Sequence, residues 1–274
     1  VTDTPPGSPV PARSSGLAVR TVAGIGMVAV AIVALAIGGY LFWLLCVVAG
    51  LFMMAEWSDL HGIAPRQKRL AQYSLFVSLA LMSPPPGAGP HFFVLGVLAG
   101  AAFFIVIVTA RRELAAGTIY VGLPILSLLL LRHQHEGIVW TLWALSLVWA
   151  TDIGAYFAGR TIGGPKLAPK LSPSKTWAGL IGGVVLASAL GAGFHAFYGL
   201  PLRMTLATPA LAVLAQGGDL FESSLKRRAG VKDSGNILPG HGGVLDRLDG
   251  VVPVAPVAAF LAVAVPWLYT YAPW

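Results

Sequence analysis

Charge is what this 274-residue chain has least of: 11% of its residues are Asp, Glu, Lys or Arg, against roughly a quarter in an ordinary soluble domain. A soluble body of this size needs a charged exterior, and so few charges cannot cover one. Cysteine is nearly missing as well. The one thiol, Cys46, sits inside an apolar run, which excludes a disulfide framework and a cysteine-built metal site. Apolar and polar residues do not alternate along the long runs, which argues against a β-barrel. No GxxxxGK[ST] phosphate loop occurs, no serine or cysteine catalytic triad is evident, and no inverted repeat of the kind that marks many transporters is visible.

What the chain does have is apolar length. Hydrophobic residues make up 56% of it, and its mean hydropathy is +0.77. Several runs approach the roughly 20 residues that cross a hydrocarbon core about 30 Å thick. Helices satisfy their own backbone hydrogen bonds in lipid, so the expected fold is an all-α polytopic membrane protein. About nine transmembrane helices are expected, near 20–37, 40–57, 70–84, 91–109, 114–131, 138–158, 177–199, 204–217 and 251–271. No charge appears from Val22 to Ala55, too long for one helix, and Gly38-Gly39 offers the turn that divides it. Ala34-Leu35-Ala36 also fits a signal-peptide cleavage site. The proline-rich run at 84–90 reads as a tight turn between spans. Residues 1–19, with four prolines and three serines before Arg20, read as a disordered leader. Residues 20–137 form the N-terminal transmembrane helices, and 138–274 a C-terminal catalytic transmembrane region.

The net charge of +7 would suggest nucleic acid in a soluble protein. Here it reads as basic loops facing lipid headgroups and the cytoplasm, and no nucleic-acid partner is expected. With a cytoplasmic N-terminus, the nine-span arrangement puts 16 of the 18 basic residues at inside segments and leaves only Arg132 and Arg203 elsewhere. The expected location is therefore a bacterial-type inner membrane, multi-pass, with the polar site facing the cytoplasm. Trp267, Tyr269, Tyr271 and Trp274 read as an interfacial aromatic belt.

Six of the eleven acidic residues lie between Asp152 and Asp249, in or beside two inside segments. Asp152 falls within an expected span, where a carboxylate has a partner or a function. The loop after it carries Arg160, Lys166, Lys170 and Lys175 with no acid. It is a positive-inside anchor or, given Gly163, Gly164 and Ser172-Pro173-Ser174-Lys175-Thr176, a loop that grips phosphate. In the second segment a helix would put Asp219, Glu222, Ser223, Lys226 and Arg227 on one face, which in itself amounts to a chain of surface ion pairs. Glycines around His241 free backbone N–H groups for an anion. Asp246 and Asp249 are one helical turn apart and suit a hard cation such as Mg²⁺. Carboxylates beside lysines and arginines at a membrane surface fit metal-assisted phosphoryl or nucleotidyl transfer.

Residues 223–249, SSLKRRAGVKDSGNILPGHGGVLDRLD, resemble the signature of the phosphatidate cytidylyltransferases throughout. The 152–160 and 172–179 segments are similar to other stretches of that family, so the likeness covers the C-terminal half. Many members have Lys at the place of Ser174 and Glu at that of Ala178. The resemblance implies that CTP and phosphatidate give CDP-diacylglycerol and pyrophosphate with Mg²⁺, the lipid phosphate attacking the α-phosphorus directly. It implies Asp219 and Asp246 as metal ligands, with Glu222 and Asp249 supporting them or holding a second metal. Lys226, Arg227, Lys232 and Arg247 would bind the triphosphate or the lipid phosphate, helped by Arg160, Ser174 and Lys175. His241 would shape its turn or bind phosphate. Asp219, Asp246, Lys226 and Lys232 are thus the expected catalytic group. Membrane lipids are expected partners, and a homodimer is left open. The rival readings are a CTP-dependent lipid kinase and a transporter of anionic solutes.

Overall fold

The computed structural model describes residues 14–91, 93–238 and 242–264, with side chains described from residue 24 to residue 263 of these. Helices run over Ser14–Ile37 (α1), Gly39–Leu60 (α2), Pro65–Leu81 (α3), Phe93–Thr109 (α4), Arg112–His133 (α5) and Gly137–Thr161 (α6). Two short strands follow, Lys166–Ala168 (β1) and Ser172–Thr176 (β2), and then Trp177–Tyr198 (α7) and Leu202–Arg228 (α8). A single turn at Leu245–Leu248 (α9) leads to Val251–Ala259 (α10), which winds into a π-helical turn over Phe260–Ala264.

Local chemistry marks the boundaries. Gly38 turns the chain between α1 and α2 with φ +70°, a conformation costly for any residue with a Cβ. Pro65 opens α3 in the first turn, where its missing N–H is not needed. Thr176 caps α7 by accepting the Gly179 N–H on its hydroxyl at 3.0 Å. The left-handed Gly199 closes α7, its N–H bonding back to the His195 carbonyl.

Each of the nine expected segments contains helix, but the elements differ in kind. Four of them, α2, α5, α6 and α7, are long and apolar enough to cross a membrane. Gly24–Ile37, Phe93–Thr109 and Val251–Val263 are apolar but shorter. Helix α1 begins at Ser14, inside the expected leader. The run 204–217 and the charged run after it are one continuous helix, α8, because nothing between Gly217 and Arg228 breaks it. The basic loop before α7 folds back on itself as an antiparallel hairpin, pairing Lys166 with Thr176 and Ala168 with Ser172. The expected belt at 267–274 lies outside the described residues.

Helices α6 and α7 pack through small residues. A Cβ on Gly154 would lie 2.6 Å from the Gly182 carbonyl oxygen, and one on Gly183 2.6 Å from that of Thr151. Backbones this close gain dispersion and need no large side chains, the usual solution between helices in lipid. The centre of the bundle is filled by Trp143, Leu75, Leu79, Leu98, Leu131 and Met54, all fully buried. Trp143 Nε1 donates to Thr208 Oγ1 at 3.2 Å, which satisfies the one polar atom of that ring. Outside, Phe103, Ile107, Val185, Phe197 and Leu206 stand exposed. Such a coat would aggregate in water and is matched to lipid.

Candidate active site

The polar residues gather where α2, α6 and α8 end and α7 and α10 begin. The register of α8 creates the site: Asp219, Glu222, Ser223 and Lys226 recur every three or four residues and so face the same way. Two ionic groups form along this face.

The first centres on Lys226. Its ammonium donates to Asp246 Oδ1 at 2.6 Å and pairs with Glu222 Oε2 at 2.7 Å. Glu222 is fully buried. The other oxygen of Asp246, Oδ2, accepts three bonds: Ser234 N–H at 2.9 Å, Ser234 Oγ at 3.0 Å and Gly243 N–H at 2.8 Å. Burial pulls the Asp246 carboxyl upward, but the Lys226 ammonium and the Gly243 and Ser234 N–H groups outweigh it and hold it below the usual carboxylate range.

The second group lies one to two turns back along α8. Lys175, on β2, pairs with Asp219 Oδ2 and donates to Gln216 Oε1 at 3.0 Å. Gln216 Nε2 donates in turn to Asp152 Oδ1 at 3.2 Å, which supplies the partner that a carboxylate within α6 requires. Ser223 Oγ donates to Asp219 Oδ1 at 3.3 Å. Asp249, just after α9, completes the group. Its carboxyl is pushed up to about 7, first by burial and then by the charge of Asp219, with Asp152 adding to it. Arg247 stands close enough for its charge to act on Asp152. The half-buried Lys175 ammonium pairs with Asp219, and its charge also acts on Asp152 and Asp249.

The structure therefore brings Lys175, Asp219 and Asp249 together, and separately Glu222, Lys226 and Asp246. Arg227 links α8 to the hairpin through the Leu171 carbonyl at 3.5 Å. Strand alternation turns Lys175 inward and leaves the neighbouring Ser174 exposed. Arg160 donates to Tyr156 Oη at 2.7 Å on its own helix, and Lys232 is exposed in the loop after α8. Among the described residues no contact joins Arg160, Ser174 or Lys232 to either ionic group. His241 lies outside the described residues.

Two participants escaped the sequence reading. Gln216 precedes Gly217-Gly218 and looked like the end of a span. Glu56 sits near the end of α2, 2% exposed, accepts hydrogen bonds from Val244 N–H and Leu245 N–H, and shares the single hydroxyl hydrogen of Ser234 with Asp246. A carboxylate at the end of 34 uncharged residues was the available signal.

Among the described residues no three His, Cys, Asp or Glu side chains converge as a finished cation site. The donor chemistry nevertheless fits a hard divalent ion. The available donors are carboxylate oxygens, and burial together with the charge of Asp219 raises the Asp249 carboxyl to about 7. Asp246 is less open, since Lys226, Ser234 and Gly243 occupy both of its oxygens.

Fold and site together define an all-helical, membrane-type protein with an ionic centre at one end of its bundle. The chain belongs to the cytidylyltransferase family, whose pattern residues 18–265 match. A phosphatidate cytidylyltransferase of Brucella suis is 42% identical over 233 residues, covering 80% of this chain and 83% of the relative. Those of Bacillus subtilis and Rickettsia felis are 44% identical over 147 residues and 36% over 188. The alignments cover 52% and 64% of this chain, and 55% and 82% of those relatives.

Proposed function

We propose that this protein transfers the cytidylyl group of CTP to phosphatidate, giving CDP-diacylglycerol and pyrophosphate. The observation that carries this reading is the meeting of described signature residues with Glu222 just before them: Lys226 joins Glu222 and Asp246, beside the Lys175–Asp219 pair. Relatives that align with most of their own length bear that activity as their name.

Mg²⁺ held by Asp219 and Asp249, with Asp152 adjacent, would neutralise phosphate oxygens as charge shifts to the leaving pyrophosphate. Asp246 would be a further ligand for that ion, its oxygens now being held by Lys226, Ser234 and Gly243. Glu222 keeps that ammonium charged and placed. Lys226, Arg227, Lys232 and Arg247 bind phosphate oxygens of CTP or lipid, with Lys175, Ser174 and Arg160 approaching from the hairpin side and His241 from its turn. The phosphate of phosphatidate is already anionic near neutral pH, so it attacks the α-phosphorus without a general base. The chain's task is to hold two anions together by charge and position.

The site lies at the ends of α2, α6 and α8 and the starts of α7 and α10, which supports a single face for it. The basic residues collected in the segments at that end support the cytoplasmic side of a multi-pass inner-membrane protein with about nine spans. The exposed apolar coat supports membrane lipids as its surroundings.

Purified protein in detergent–lipid micelles, given phosphatidate, Mg²⁺ and CTP labelled at the α or γ position, tests the reaction. Label from the α position should enter the organic phase, and γ label should appear as soluble pyrophosphate. Lipid labelled from γ would instead indicate a CTP-dependent lipid kinase. No lipid labelling in folded, CTP-binding protein would favour transport.

A further inference from the structure

Glu56 belongs to the half of the chain with no signature residues, yet its carboxylate is spent on the signature turn. Oε1 accepts the Val244 N–H at 2.9 Å, and Oε2 accepts the Leu245 N–H at 2.7 Å. Ser234 Oγ lies 3.0 Å from Glu56 Oε2 and 3.0 Å from Asp246 Oδ2. One hydroxyl therefore bridges a carboxylate of α2 and the carboxylate that grips Lys226. Two glycines of the turn admit this side chain. A Cβ on Gly235 would come within 2.8 Å of Glu56 Oε1, and one on Gly243 within 2.5 Å of Glu56 Oε2. Glu56 is almost wholly buried, and its bonds are charge-assisted, the stronger kind.

We propose that Glu56 is a positioning residue for the reaction: it fastens Ser234, Val244 and Leu245 to α2 and thereby fixes Asp246 and Lys226. The proposal rests on the cytidylyl-transfer reading only for its rate readout. Glutamine cannot reproduce the arrangement. It has one acceptor oxygen, so its NH₂ group must face a backbone N–H or the hydroxyl that a carboxylate oxygen now receives. The turn would loosen, and misplacement by about 1 Å is enough to cost on the order of 100-fold in rate.

The test uses the full chain with Cys46→Ser and a nitroxide on a single cysteine, Ile237→Cys in the turn or Ile162→Cys beyond α6, both exposed. In Glu56→Gln the spectrum at 237 should sharpen toward a mobile label while that at 162 stays as in the parent. Turnover per folded protein should fall roughly 100-fold with KM for CTP within about threefold, a split that mere loss of folded protein does not produce alongside a local spectral change. Ser234→Ala removes the bridging hydroxyl and keeps the carboxylate, and it should show the same local loosening with a loss of about tenfold. It decides the matter by the same two readouts if Glu56→Gln does not fold. Unchanged turnover, or lost turnover with an unchanged spectrum at 237, overturns the proposal. If the parent places no α label in lipid, the function proposed above has failed, and the spectra at 237 alone then confirm or overturn the anchoring of the turn.

Discussion

Asp249 shows how much of this site turns on single carboxyls. In the folded chain burial and the charge of Asp219 keep it protonated up to about pH 7, whereas an unfolded aspartate releases its proton near pH 3.9. The folded state therefore holds the extra proton between those limits, and stability falls as pH rises through that window. The contribution is complete below about pH 4 and is lost as pH passes about 7. In chelator, thermal unfolding of the detergent-solubilised parent should weaken from pH 5 to pH 8 more than that of Asp249→Asn, which has no proton to lose. Mg²⁺ at pH 8 should raise the parent's Tm more than the variant's. Equal shifts in the two proteins would place the metal elsewhere. At this scale the sequence singled out residues by type, and the structure brings two of them, Lys226 and Asp246, into contact. The sequence was silent where a partner comes from a distant element, as Glu56 does, since no spacing within the signature points to α2.

At the scale of elements, helix was legible because apolar runs with glycine or proline at their ends leave the backbone few alternatives. Expected 177–199 and observed Trp177–Tyr198 agree because Thr176 caps one end and Gly199 the other. Hydropathy marked only the span 204–217, where lipid ends, while α8 continues through the charged run, as its one-face spacing allowed, by its own propensity and ion pairs. The β1–β2 hairpin was invisible, because its pairing is made by backbone groups over strands too short to show alternation. The contact of α6 with α7 carries a prediction of its own. Lys175 enters the site from the end of β2, which leads straight into α7, and Asp152 enters from α6, so the packing of these two helices sets their separation. Gly183→Leu would drive a side chain into the Thr151 carbonyl and cost about 1–3 kcal/mol by overpacking. Its Tm should drop, with a loss of turnover larger than the folded fraction explains. Gly193→Leu, on the same helix with open space around it, should leave both within error.

For the whole molecule the decisive question is which end of the bundle faces the cytoplasm, because CTP is supplied there. The ends of α2, α6 and α8 and the starts of α7 and α10 converge on the ionic centre, so all must lie on one side whatever the number of spans. The positive-inside rule predicts the cytoplasm for that side, since Arg66, Lys68 and Arg69 at the start of α3, the basic residues of the hairpin and those after α8 belong to the same ends. The connection between α5 and α6 lies at the opposite end of both helices, and His135 in it is almost fully exposed. In a Cys46→Ser background, single cysteines at Ile162, Ile237 and His135 probe both ends without disturbing the turn, as a cysteine at Gly235 would by meeting Glu56. An impermeant thiol reagent should label 162 and 237 only in inside-out vesicles and 135 only in right-side-out ones. Labelling of 135 and 237 from the same side would break the arrangement. Labelling of all three with sides exchanged would preserve the bundle but put its ionic centre where no CTP is available, and the proposed reaction would go with it.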